Sequence, residues 1–308
     1  MRASVSRAAA TQGARTGALW LEVGRVSVAQ MKRDRVSVAA GAFAYRWFLS
    51  VFPLIIALLG IASLTTVPHH VVARLIQGVT HALPSGAAQV LVASIANAER
   101  HSGASLVTTV IAVLVALWSS TSGMVVVEEG LDMAYGLPAD RSFLAKRAVA
   151  VPLLCSAVVL GGAASALTVF GLQIGDLVHH VVPVRGASFS FAWTLVRWLA
   201  ALTLMNLLLS VFYYLAPNRH RIPWRWHSAG ASVATLLWAM VSLGFSLYTS
   251  RFGSFGETYG AFAGVAILIF WLYLSGLAIL VGAEVNAARE QLEERREDGA
   301  DMRVLSQE

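Results

Sequence analysis

The stretch GAFAGVAILIFWLYLSGLAILVGAE, from Gly260 to Glu284, carries no charge before its last residue. About 20 predominantly apolar residues cross the hydrocarbon core of a bilayer, so this stretch predicts a transmembrane helix. Five further stretches read the same way: Val38–Thr66, Ser105–Val127, Ala148–Leu172, Trp193–Leu215 and Ser228–Thr249. The fold class expected is therefore all-α, a polytopic membrane bundle of six transmembrane helices. Small and hydroxylated residues recur in every stretch, as they do where membrane helices pack on one another. Composition agrees. Of 308 residues 57% are hydrophobic and 13% charged, where a soluble domain is about 25% charged. So few charges cannot cover a water-facing surface, and much of it must face lipid.

The charges set the orientation. Seventeen of the 23 Lys and Arg fall in residues 1–37, 128–147, 216–227 and the tail beyond Glu284. The alternate connections hold four: Arg74, Arg100, Arg185 and Arg251. The positive-inside rule then puts both termini in the cytoplasm. Three regions follow: a basic N-terminal segment 1–35, a six-helix domain 36–287 and a charged tail 288–308. The net charge of +6 and sequence pI near 9.9 express this asymmetry rather than nucleic-acid binding, which is not expected. Cys155 is the single cysteine, which excludes an internal disulfide and a CxxC site. The first apolar run is too long for a signal-peptide core and reads as a retained helix.

The first outer connection, residues 67–104, is too long for a tight turn. Val71–Ala82 and Gly86–Ala98 have helical apolar spacing around Leu83-Pro84-Ser85, and predict a helical outer loop lying on or dipping into the interface. Residues 1–15 read as disordered, and Gly17–Arg33 as an interfacial helix. The tail Arg289–Glu308 reads as a fraying continuation of the last helix.

An ordered set of local patterns carries a resemblance. The first span reads Ala44-Tyr45-Arg46-Trp47-Phe48-Leu49-Ser50-Val51-Phe52-Pro53, and the second holds Trp118-Ser119-Ser120. The fourth ends Tyr214-Leu215-Ala216-Pro217, and the fifth begins Trp226-His227-Ser228-Ala229-Gly230-Ala231. Thr258-Tyr259-Gly260 enters the sixth, which closes with Trp271-Leu272-Tyr273 and Gly282-Ala283-Glu284-Val285-Asn286. In this order and spacing the chain resembles the YihY/virulence factor BrkB family of bacterial inner-membrane proteins, over roughly residues 25–290. The resemblance implies a six-helix membrane protein whose relatives have been proposed as transporters, including of lipids. An older label for the family, ribonuclease BN, does not suit a chain without the clustered His and Asp of a metallonuclease. Arg46 stands where many relatives are expected to carry an uncharged residue, so no role is carried over to it.

The polar residues within the spans are the candidates for a substrate path. Arg46, Ser50 and Pro53 share one face of the first span. A central arginine costs at least about 2.5 kcal/mol and should be paired or face water. It either snorkels or pairs with Glu128, Glu129, Asp132 or Glu284, or it forms an anion site, with a bundle-facing position expected. Asn206 and Ser210 share a face of the fourth span with Thr203 and Tyr213, and either bond across helices or line a path. In the fifth span Ser228, Ser232, Thr235, Ala239, Ser242, Ser246 and Thr249 form a stripe, read as close packing or as a cavity wall. Glu257 and Tyr259 lie in the loop Arg251–Gly260, an outer gate or a tight turn. Glu284 and Asn286 close the sixth span, as a structural clasp or a gate. Six histidines, at positions 69, 70, 81, 101, 179 and 180, lack the carboxylate spacing of a metal site. No catalytic residue, metal or cofactor is expected, and no Walker, GxSxG or HExxH motif occurs. The expected partners are membrane lipids and a lipid or anionic small-molecule substrate; nothing sets an oligomeric state. The leading expectation is a non-enzymatic transporter of a lipid or small amphiphilic solute. The alternative is a structural or scaffold membrane protein that supports envelope integrity.

Overall fold

The computed structural model describes residues 2–64, 106–138, 141–169, 171, 175, 187–219, 228–251 and 255–305. Among them there is no strand. The helices are α1 (Arg2–Arg33), α2 (Val36–Leu64), α3 (Leu106–Ala134), α4 (Phe143–Ser156), α5 (Gly162–Val169), α6 (Ala187–Leu215), α7 (Ala229–Arg251) and α8 (Phe255–Leu305). Among the described residues, five helical stretches are long and apolar enough to cross a membrane: Val36–Leu54, Phe143–Thr168, Ser190–Leu215, Ala229–Tyr248 and Val265–Arg296. They coincide with the first, third, fourth, fifth and sixth expected spans. Residues 106–127 of the second expected span lie in α3, whose last two turns carry Glu128, Glu129 and Asp132.

Several boundaries differ from the sequence reading. The third span begins at Phe143 rather than Ala148, because Ser142 caps it: its Oγ accepts the Ala145 N–H at 3.4 Å. It also contains a π-helical turn, Ala157–Gly161, that joins α4 to α5. Residues 2–15, expected to be disordered, belong to α1, where Ala8, Ala9 and Ala10 favour helix. The loop expected at Arg251–Gly260 is shorter, since α8 already begins at Phe255. The two outer-loop helices at 71–82 and 86–98 lie outside the described residues, as do the six histidines.

The core forms where α2, α3, α4, α6, α7 and α8 meet. It includes Phe43, Val127, Leu131, Leu153, Leu209, Phe212, Ala234 and Leu280. Phe43 is wedged between glycines of two other helices: a Cβ on Gly130 of α3 would stand 2.6 Å from its ring, and one on Gly276 of α8 would stand 3.0 Å from its Cβ. The N-terminal end of α2 and the C-terminal ends of α3 and the α8 span are thereby brought to one level, the end of the bundle that α1 adjoins.

Candidate functional site

Glu128 and Asp132 are one turn apart on α3 and share a face. They are 0% and 2% exposed. Buried carboxylates demand cationic or N–H partners, and the two flanking loops supply them. The Arg141 guanidinium lies beside Glu128, Nη1 to Oε1 at 2.9 Å, as an ion pair off the axis of a hydrogen bond. Its N–H groups are aimed elsewhere: Nη1 donates to the Ala216 carbonyl (2.7 Å), Nη2 to that of Pro217 (3.1 Å) and Nε to Asn218 Oδ1 (3.2 Å). Pro217 cannot continue α6, so the carbonyls at that helix end need an outside donor, and Arg141 provides it. Asp132 Oδ1 accepts the Asn218 N–H at 2.6 Å.

Arg219 extends the seam to α8. Its Nη1 donates to Glu290 Oε2 (2.5 Å), its Nη2 to the Tyr213 carbonyl (3.1 Å), and its guanidinium lies 4.1 Å over the Tyr135 ring. Burial pushes the Tyr135 phenol up to about 12, against the opposing pull of the Arg219 charge, so it keeps its proton at neutral pH. Nearer the surface, Lys146 pairs with Glu129 at 2.6 Å.

The α7–α8 crossing closes the seam. Ser228 caps α7, its Oγ accepting the Ala231 N–H at 3.0 Å. Asn286 Oδ1 accepts the Gly230 N–H (2.7 Å) and its Nδ2 donates to Ser228 Oγ (2.9 Å). Gly230 and Gly282 meet backbone to backbone, and Tyr213 Oη donates to the Ile279 carbonyl at 2.7 Å. Glu284 stands apart from these pairings. It is 0% exposed, and neither carboxyl oxygen has a hydrogen-bond partner among the described residues. Its carbonyl accepts from Ser27 Oγ at 3.4 Å. The charged groups facing it are Asp34 and Arg33 at the α1–α2 corner, and Arg33 is itself held by Asp34, Nε to Oδ1 at 2.8 Å.

The sequence candidates do not converge on one path. Glu284 and Asn286 belong to the seam. Ser50 is buried, donating to the Arg46 carbonyl (2.8 Å) and lying 3.3 Å from Ser122 Oγ of α3. Arg46 does not face the interior as expected: it is exposed, beside exposed Tyr45 and Leu49. The cause is angular. The buried face of α2 is set by Ala40, Phe43, Ala44 and Ser50, and at about 100° per residue Arg46 falls at the rim of that face. Of the acids proposed to offset it, Glu128, Glu129 and Asp132 serve Arg141, Lys146 and Asn218 instead, and Glu284 faces Asp34 and Arg33. Pro53 is half-buried within an unbroken α2. Asn206 reaches Ser232 Oγ only at 3.4 Å, and Ser210 is buried, bonding back to the Asn206 carbonyl at 2.8 Å. Glu257 and Tyr259 sit on the first turns of α8.

The α7 stripe is mixed. Thr235 is buried, Ser232 and Ser246 are exposed, and half-buried Ser242 accepts from Trp271 Nε1 at 3.3 Å. Leu243 beside it is exposed. Ser242→Leu loses that acceptor and overfills the contact, an expected cost of about 1–3 kcal/mol. Leu243→Ala should leave thermal unfolding in detergent almost unchanged, and equal shifts for the two variants would make the stripe incidental.

These features define a class: an integral membrane protein built as a multi-span helix bundle with a charged seam at one end. Comparison with known proteins gives the family. The family described as Virulence factor BrkB matches residues 27–304, and the chain belongs to it. A ribonuclease-like protein of Bacillus subtilis (strain 168), YfkH, is 34% identical over 79% of this chain and 86% of its own length. A UPF0761 membrane protein of Vibrio atlanticus (strain LGP32) is 30% identical over 89% of this chain and 84% of its own. One from Alteromonas mediterranea is 26% identical over 91% and 92%. No solved structure matches.

Proposed function

We propose that this protein is a non-enzymatic transporter that moves a lipid or small amphiphilic solute across the bacterial inner membrane. In this reading α3 supplies the second of six spans, and both termini are cytoplasmic. The observation that carries the reading is the seam itself: Glu128, Asp132 and Glu284 are all 2% exposed or less in an apolar bundle. Ionisable groups in membrane helices are costly and mark pathways for polar species. The reading also assigns the headgroup to Arg46, which is exposed rather than bundle-facing as expected. An exposed guanidinium suits a phosphate headgroup, because its planar fork donates two parallel hydrogen bonds. Tails would stay in the bilayer while the headgroup passes.

The test is reconstitution into liposomes with labelled phospholipids. Wild type should speed exchange between leaflets. Arg46→Ala should abolish it, and Glu284→Gln should lower the rate roughly tenfold, equivalent to about 1.4 kcal/mol of barrier. Exchange no faster than in protein-free liposomes sinks the proposal. It would favour a structural membrane protein, a reading supported by the closed Gly230–Gly282 crossing and the Arg141 clasp.

A further inference from the structure

Helix α1 has three sides. At about 100° per residue, Leu19, Val23, Val26, Ser27 and Gln30 share one. That side packs on α8: Val23 clusters with Ala288 and Leu292, and Leu19 and Val26 join them. The next side carries Trp20, Leu21 and Val28, which are 45%, 72% and 53% exposed. The third carries Arg25 and Lys32, both exposed, with Arg33 at its far edge. An apolar side flanked by a basic side is the pattern of a helix lying in a membrane interface.

The contacts with α8 give the direction of α1. Val23 and Gln30 are seven residues apart, about 10 Å of helix. Val23 nevertheless packs on Ala288 and Leu292, and Gln30 Nε2 donates to Gln291 Oε1 at 3.0 Å. A helix running alongside α8 would shift its contacts along α8 by a similar seven residues. Both ends of the interval meet the turn 288–292, while Ser27 between them meets the Glu284 carbonyl, so the contacts do not progress steadily along α8 and α1 crosses it at an angle. α8 spans the membrane, and its contacts with α1 lie at and just beyond Glu284, which sets α1 at the level of the interface.

We infer that the exposed apolar side of α1, Trp20, Leu21 and Val28, is inserted in the cytoplasmic leaflet, and that Arg25 and Lys32 bind anionic phospholipid headgroups there. The two long basic side chains can lay their stems along the apolar side and reach the phosphates. Each basic residue near an anionic surface adds to the attraction, so the pair favours an anionic over a zwitterionic leaflet. The surface is separate from the seam, and the inference stands whether or not the protein transports.

Nitroxide labels at Leu21→Cys, Val28→Cys and Glu22→Cys, each in a Cys155→Ser background, test it in the full-length protein. The probes are nanodiscs containing phosphatidylglycerol and nanodiscs of phosphatidylcholine alone. With phosphatidylglycerol, labels at 21 and 28 should be reached by molecular oxygen in preference to a water-soluble nickel chelate, and the label at 22 should show the reverse. Arg25→Ala with Lys32→Ala, or omission of phosphatidylglycerol, should lower the oxygen preference at 21 and 28. Chelate access at 21 and 28 equal to that at 22 overturns the insertion. Dipolar broadening between labels at 21 on two chains also overturns it, since a second copy would then cover the face. Oxygen preference unmoved by lipid charge or by the double variant overturns the headgroup assignment.

Discussion

Arg141→Ala is expected to destabilise the protein by about 3–5 kcal/mol, the cost of leaving a buried charge without its partner. Glu128 is 0% exposed and Arg141 is the cation beside it at 2.9 Å. The same substitution strips donors from the Ala216 and Pro217 carbonyls at the end of α6. Thermal unfolding in detergent should show a large fall in Tm. Adding Glu128→Gln should recover part of it, because the orphaned charge is then gone. Arg141→Lys should fall between wild type and the alanine variant, since an ammonium keeps the charge but cannot serve three acceptors in a plane. An Arg141→Ala protein that melts with wild type would mean that Glu128 is not ionised and that the clasp is incidental.

That clasp is hard to read in the sequence for a physical reason. Arg141 and Arg219 stand in loops, and loop arginines on one side of a membrane protein read as topology signals. Nothing local says that a loop arginine folds back. A signal did exist: Glu128 and Asp132, one turn apart at the end of an apolar helix, need partners, and the flanking loops offer arginines. The helices themselves were legible, because apolar length is a direct demand of the bilayer. Helix phase was less so. Placing Arg46, Ser50 and Pro53 on one face was right as geometry, but which edge of that face turns outward depends on how α2 is clasped by α3 and α8. The wedging of Phe43 against Gly130 and Gly276 decides it. Glu284 and Asn286 were found as a pair and proved to differ. Asn286 is consumed in capping α7, while Glu284 keeps both oxygens free of hydrogen bonds among the described residues.

Gly230→Ala is expected to cost about 3 kcal/mol, at the upper end of what overpacking does. The new Cβ would overlap the Gly282 carbonyl oxygen and stand 2.6 Å from Asn286 Cγ. Neither obstacle is the loose end of a side chain. The carbonyl belongs to the α8 backbone, and Asn286 is fixed by its bonds to Gly230 and Ser228. Relief therefore requires α7 and α8 to separate. Separation would pull Gly282 from Tyr213, whose hydroxyl bonds the Ile279 carbonyl, and would loosen α6 as well. Gly244, farther along α7, is the internal control: a Cβ there meets nothing within 4 Å. Gly244→Ala should be neutral or stabilising by up to about 1 kcal/mol, through helix propensity alone. The measurement is the Tm of each variant in the same detergent, with the yield of monodisperse protein as a second readout. A large fall for Gly230→Ala and none for Gly244→Ala locates the glycine requirement at the helix crossing. Equal falls would mean that α7 responds to any added methyl group, and that the close approach of Gly230 to Gly282 does not set the packing of the bundle.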